Sequence, residues 1–334
     1  MKAPGFWGFP PDERDWRPQL LAPISCAVAA ASRHRIARPP AYSSKIPVVC
    51  IGNINVGGTG KTPTVIALTQ RLAQTGTTPH IVSRGYGGTN PGPVRVNERL
   101  HTAADVGDEP LLLSAFAPTW VSRNRATGVR MAENDGAGMI LLDDGFQNPS
   151  VAKDFSIVVV DATYGFGNAR VMPAGPLRET LTDGLARADI LLSIGPDHAQ
   201  QKFLDTWKKE INCRHITADL VPLATGMDWQ DLKVLAFAGI GHPEKFFQTL
   251  RGLGANIVDA KPLDDHQPLN AALLKRLETE ADRLGAQLVT TEKDATRLPA
   301  EFRQKVLTLP VRLQLDDWSE LDAALNTLQT RERN

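Results

Sequence analysis

The chain has 334 residues, long for one hydrophobic core, so two domains are the starting expectation. Its 37 Lys and Arg balance 37 Asp and Glu, which leaves no basic footprint for nucleic acid, and an aromatic content of 6% adds no obvious stacking surface. Three scattered cysteines, Cys26, Cys50 and Cys213, form no CxxC pair, which argues against a disulfide framework or a zinc site and for a reducing compartment.

Residues 20–31 (LLAPISCAVAAA) are apolar and lie between Arg17 and the basic group Arg33, His34, Arg35 and Arg38. A spanning helix needs about 20 apolar residues, so this stretch is too short to cross a bilayer. The acidic residues Asp12, Glu13 and Asp15 before it, and the lack of a convincing cleavage site after it, argue against a secretory signal. A buried helix and an interfacial helix with a basic flank both fit the pattern, the buried one being the commoner kind.

The strongest signal follows. The apolar run Pro47-Val48-Val49-Cys50-Ile51 leads into Asn55-Val56-Gly57-Gly58-Thr59-Gly60-Lys61-Thr62, and residues 64–73 then show helical spacing. A strand, a glycine-rich turn and Gly-Lys-Thr at a helix start make a phosphate-binding loop. Small residues let backbone N–H groups turn inward at phosphate oxygens, Lys61 adds a point charge, and the Thr62 hydroxyl is placed to ligate Mg²⁺. The strict pattern has glycine where this chain has Asn55, a residue type that tolerates positive φ. Pro63 is acceptable because the first helical turn has no intrahelical partner for its N–H groups.

Strands are expected at residues 80–83, 139–142, 157–160 and 190–194, the last three short and wholly apolar or nearly so, as in a parallel sheet covered on both faces. Asp143 and Asp144 end the second of these, where the carboxyl ends of parallel strands line a ligand crevice. One of them is expected to bind the metal and the other to orient it or a substrate, against the alternative of a solvated pair capping the turn Gly145-Phe146. Asp108 and His266 are the candidates for accepting a hydroxyl proton, although each alone is more often structural and spacing cannot bring them together. Arg178 either neutralises charge on a transferred phosphoryl or forms a surface ion pair with Glu179.

Residues 199–229 lack clean periodicity and mark the expected boundary. A second α/β series follows, with strands at 234–238, 256–258 and 287–290 and a helix at 243–253. Gly239-Ile240-Gly241 is too weak for a dinucleotide fingerprint and reads as a turn. The expected division is an N-terminal membrane-associated segment over residues 1–40, a phosphate-loop domain over 41–215 and a smaller α/β domain over 216–334.

Seven stretches in order, residues 53–63, Ser83-Arg84-Gly85-Tyr86, Gly107-Asp108-Glu109-Pro110, Asp143-Asp144-Gly145-Phe146-Gln147, Leu177-Arg178-Glu179, Asp265-His266 and Thr291-Glu292-Lys293-Asp294, together resemble the tetraacyldisaccharide 4′-kinase family, the lipid A 4′-kinases of Gram-negative bacteria. The resemblance implies transfer of the ATP γ-phosphate to the 4′-hydroxyl of a tetraacylated disaccharide 1-phosphate by a peripheral, monotopic enzyme. It would act at the cytoplasmic face of the inner membrane and is expected to be a monomer. It moves the interfacial reading of residues 20–31 ahead. It pairs Asp108 with His266 as a catalytic dyad and assigns Asp143, Asp144, Lys61 and Thr62 to a Mg-ATP site. It also associates Tyr86, Arg178 and Glu179 with nucleotide or metal handling. Asn148, Thr180 and Leu263 depart from the residues common there, which are histidine, proline and an aromatic. A membrane-surface ATPase switch acting on a protein partner accounts equally for the phosphate loop and the N-terminal segment, but not for Asp108 and His266. A soluble sugar or nucleoside kinase leaves the N-terminal segment unexplained.

Overall fold

A computed structural model describes residues 3–330; residues 1–2 and 331–334, at the two ends of the expected division, lie outside the described residues. Thirteen strands build two sheets among them. In chain order they are β1 Val48–Gly52, β2 Pro79–Ser83, β3 Val94–Arg95, β4 Thr119–Val121, β5 Met139–Asp143, β6 Phe155–Asp161 and β7 Ile190–Ile194. Then come β8 Arg214–Pro222, β9 Lys233–Ala238, β10 Asn256–Pro262, β11 Gln287–Thr291, β12 Val306–Leu309 and β13 Val311–Gln314. The larger sheet runs β13-β8-β7-β6-β1-β5-β2-β4-β3 and the smaller β10-β9-β11-β12. Only the outer pairs β13–β8 and β3–β4 are antiparallel. This is the α/β, phosphate-loop type of mainly parallel sheet expected from the sequence, with a second small parallel sheet.

The central strands are apolar on both faces because both are covered. Successive side chains alternate, so Val48, Cys50, Ile140, Leu142, Val158 and Leu191 pack on one face. Val49, Ile51, Met139, Leu141, Ile157 and Leu192 pack on the other, under Val65, Ile66, Leu68 and Leu72 of the helix Lys61–Gln74. The smaller sheet is likewise sandwiched, by the helix Pro243–Gly252 on one side and Ala271–Leu284 on the other.

The sheets cut the chain differently from a division at residue 215. The aperiodic stretch contains the helix Asp197–Trp207 and β8, which pairs with β7 in the larger sheet. After β12 the chain returns: β13 pairs with β8, and Leu321, Leu325 and Leu328 of the helix Ser319–Thr330 fill the core beside the helix Lys61–Gln74. The smaller sheet is thus an insertion between β8 and β13.

The apolar N-terminal stretch lies within the helix Trp16–Ile36, whose N-cap is Asp15. One side is fastened to the larger unit: Ala174 N donates to Ser25 Oγ at 3.0 Å, Ser32 Oγ donates to the Arg178 carbonyl at 3.2 Å, and Arg33 pairs with Asp183 at 2.8 Å. On the other side Trp16, Leu20 and Ile24, four residues apart, are 69%, 70% and 55% exposed. No helix among the described residues is long and apolar enough to cross a membrane.

Candidate active site

The phosphate loop leaves the carboxyl end of β1, and Asp143 ends the neighbouring parallel strand β5 in register with Ile51. The Asn53 amide donates to the Gly57 carbonyl at 3.3 Å and to Thr59 Oγ1 at 3.1 Å, which pins the loop from inside. Gly57 and Gly60 take φ of +110° and +96°, and a Cβ on Gly60 would stand 2.5 Å from Ile194 Cδ1, so both conformation and space require glycine there. The backbone N–H groups of residues 57–60 donate to nothing else among the described residues. Lys61 and Thr62 open the helix, whose first N–H groups have no intrahelical partner. That row of unpaired donors is a ready anion nest. Val56 is different: it is half-exposed and its N–H is already taken by the Pro176 carbonyl at 2.8 Å.

Asn55 does not use the positive φ anticipated for it. It is held by its side chain, whose amide donates to the Gly165 carbonyl at 3.0 Å, while its backbone bridges to Leu177.

Asp144, in the left-handed region at φ 51°, faces Lys61 Nζ at 3.7 Å and Arg178 Nη1 at 3.0 Å. Burial pushes its carboxyl up, but Lys61 and Arg178 outweigh that and hold it below the usual range. Asp143 goes the other way. Burial raises it to about 7, with Glu109 and Asp144 adding, which together outweigh Lys61 and the Ser83 hydrogen bond. Its Oδ2 accepts from Ser83 Oγ at 2.9 Å, and its Oδ1 is buried without a partner. A buried carboxylate oxygen with no donor beside a phosphate nest fits a divalent cation. Among the described residues no three acidic, histidine or cysteine side chains converge. Mg²⁺ needs no such cage, because it is held by one or two protein oxygens, substrate phosphates and water.

Glu179 has other partners. Gln147 Nε2 donates to its Oε1 at 2.9 Å and Arg187 pairs with its Oε2, so its contacts reach neither Asp143 nor Thr62. The ion pair between Arg178 and Glu179 does not form; their partners are Asp144 and Arg187 respectively.

The second half of the site is built across the two units. Asp108 begins the helix Asp108–Leu113 of the larger unit, and His266 lies in the loop after β10 at φ 57°. Their Oδ2 and Nδ1 are 2.9 Å apart across 158 residues of sequence. Asp108 is 3% exposed, and its Oδ1 accepts from Glu109 N at 2.9 Å. Burial works against its charge, but His266 and Lys293 prevail and keep it ionised below the usual range. Asp108 in turn raises the imidazole above the ordinary histidine value, against burial and the Lys293 charge. The exposed Tyr86 ring stands edge-on to His266 at 5.4 Å, which places it beside the dyad.

Asp294 anchors this loop. Fully buried, it accepts from Gly239 N, Thr291 Oγ1 and Arg297, and Arg297 also donates to the Gly239 and Gln267 carbonyls. The Gly239-Ile240-Gly241 turn therefore has a use: a Cβ on Gly241 would stand 3.1 Å from Gly58 N, so the smaller unit backs directly onto the phosphate loop. His242 stacks on Tyr164 at 4.1 Å and Lys245 pairs with Asp161 at 2.5 Å, fastening the same junction.

A family model described as tetraacyldisaccharide-1-P 4′-kinase (LpxK) matches residues 17–330. The chain belongs to that family. It is 60% identical over 329 residues to the tetraacyldisaccharide 4′-kinase of Dinoroseobacter shibae, covering 98% of each chain. It is 58% identical to that of a Jannaschia species, covering 99% of this chain and all of the other. A crystal structure titled as LpxK from Aquifex aeolicus in complex with ATP superposes with a TM-score of 0.72 at 22% identity, over 93% of this chain and 99% of that one, which shows the shared fold.

The three departures from the kinase family's usual residues have local explanations. Asn148 Oδ1 accepts from Ser150 N at 2.8 Å and closes a turn. Thr180 caps the short helix Leu181–Leu185 by accepting from Asp183 N. Leu263 packs against the core under the helix Ala271–Leu284. Reading the sequence missed Arg125, Arg187 and Arg297, and quoted Ser83 and Gln147 only as members of motifs, with no role. Arg125, 3% exposed, donates to the carbonyls of Asp143 and Asp144 and so shapes their turn. Arg125, Arg187 and Arg297 carry no local signal beyond their charge.

Proposed function

We propose that this chain transfers the γ-phosphoryl group of ATP to the 4′-hydroxyl of a tetraacyldisaccharide 1-phosphate, with the residues above in defined roles. What carries the assignment of roles is the two-sided layout: a phosphate nest with Lys61 on one side, and the Asp108–His266 pair, presented by both units, on the other.

ATP binds with its phosphates against the N–H groups of residues 57–62. Lys61 and Arg178 both meet Asp144 Oδ1, which holds the two cations beside the phosphate nest, where charge accumulates on the transferred group. Thr62 and Asp143 would hold Mg²⁺, which when bound neutralises β- and γ-phosphate oxygens. The sugar hydroxyl gives its proton to the Asp108–His266 pair as its oxygen bonds to phosphorus and the bond to ADP breaks. Gln147 bridges Glu179 and the Asn53 carbonyl at 2.8 Å, so Glu179 acts by bracing the base of the phosphate loop.

The exposed stripe of Trp16, Leu20 and Ile24, followed by Arg33, Arg35 and Arg38, supports seating on the cytoplasmic face of the inner membrane. Leaving the bilayer would cost a tetraacylated substrate about 0.8 kcal/mol per CH₂, so the enzyme meets it at the surface. Mass spectrometry of the disaccharide 1-phosphate after incubation with ATP and Mg²⁺ in detergent tests the activity. The expected result is the gain of one phosphate, lost with Lys61→Ala. ATP consumption without that product would favour an ATPase switch.

A further inference from the structure

Lys293 belongs to the Thr-Glu-Lys-Asp stretch that the roles above leave unused. It lies in the short helix Glu292–Ala295 after β11, and its side chain is 18% exposed. Its Nζ is 3.3 Å from His266 Nε2, 3.1 Å from Glu109 Oε1 and 3.9 Å from Asp265 Oδ1. An ammonium has three donors and no lone pair, so at Nε2 it can only donate. An imidazole that accepts at Nε2 carries its proton on Nδ1, which is the nitrogen facing Asp108 at 2.9 Å.

We infer that Lys293 is a positioning residue of the dyad, holding His266 as the neutral Nδ1–H tautomer with Nε2 unprotonated and accepting from Lys293. This rests on the reading of Asp108 and His266 as the proton acceptor. The groups facing the imidazole are Asp108 on one helix, Lys293 on another, Asp265 in its own loop and the Tyr86 ring from the larger unit. Behind them stand Glu109, paired with Lys293, and Arg297, whose Nε is 3.7 Å from Asp108 Oδ2. Of the cations, Lys293 alone meets Nε2; the two carboxylates facing the ring both favour a second proton. Lys293 opposes them and keeps Nε2 unprotonated, ready to take a proton once the acceptor hydroxyl displaces the ammonium.

The imidazole of a plain structural contact would not change protonation when Lys293 is lost, which gives the test. In Lys293→Met the acidic limb of the pH–rate profile moves up by about one unit, and ¹⁵N shifts of the His266 ring show a second proton on Nε2 at neutral pH. The double variant Glu109→Gln/Lys293→Met removes the inter-unit ion pair without leaving an unpaired carboxylate at Glu109, and covers the case where the single variant does not fold. If Lys293 served only to neutralise Glu109, the double variant would regain the wild-type profile and ring shifts, and the inference would fail. Persistence of both changes supports it. Ring nitrogens that change while the profile stays fixed would overturn the dyad reading and with it any catalytic meaning of Lys293.

Discussion

The proposed nucleotide side and acceptor side of this site are made in opposite ways. Phosphate loop, Asp143 and Asp144 come from the ends of two paired strands of one sheet, β1 and β5. The dyad joins a helix of the larger unit to a loop of the smaller one and exists only while the two are docked. The first is rigid by construction; the second depends on the junction formed by Gly241, His242 and Lys245. Such a division lets a kinase hold ATP before the acceptor-side base is complete.

Substitutions can separate the two. Asp108→Ala is expected to lower turnover by about 10²- to 10⁴-fold with nucleotide affinity unchanged. Lys61→Ala should lose about 10²- to 10³-fold and also weaken nucleotide binding. Steady-state rates with a nucleotide titration check both, and weakened nucleotide binding in Asp108→Ala would erase the contrast. Gly241→Ala pushes a Cβ toward Gly58 N; a drop in turnover of about tenfold is expected from the misaligned dyad.

The pH responses of rate and stability should run in opposite directions. Because Asp108 raises the imidazole in the folded state, protonation of His266 strengthens the contact between the units. The stability it contributes is complete below the unfolded histidine value of about 6.5 and is lost as pH rises through the folded value. Under the proposed role of His266 as proton acceptor, turnover needs the imidazole unprotonated and rises through the same range. Melting curves and rates across that range test this, and His266→Gln should flatten both. The smallest effect is expected from Asn270→Ala, which removes the side-chain cap of the helix Ala271–Leu284. It should cost about 1 kcal/mol in denaturant titration without moving either half of the site.

The same contrast governs what the sequence discloses. A phosphate loop is contiguous, so its residues, its strand and its helix can be read together, and the helix Lys61–Gln74 differs from the expected segment only at its ends. Asp143 follows an apolar run whose period marks a buried strand, and its position at the strand end is equally local. His266 meets Asp108 through the docking of two sheets, which no spacing encodes; the pairing came from family resemblance. Arg178 shows a limit of local reasoning: its neighbour Glu179 was the obvious partner, but the chain turns each side chain toward a different one. Asn55 was explained by backbone tolerance and is instead held by its amide. The return of the chain through β13 is not legible, because the alternation Val311-Arg312-Leu313-Gln314 is only four residues long and does not say which sheet it joins.

That return has a consequence for how the protein is made. During synthesis β8 leaves the ribosome with one edge open, and the entire smaller sheet must follow before β13 can cover it. The apolar surface that Leu321, Leu325 and Leu328 will close also stays bare for that interval. A nascent chain halted within the insertion would therefore carry a complete phosphate loop beside an uncovered, aggregation-prone seam, which is a natural point for chaperone capture.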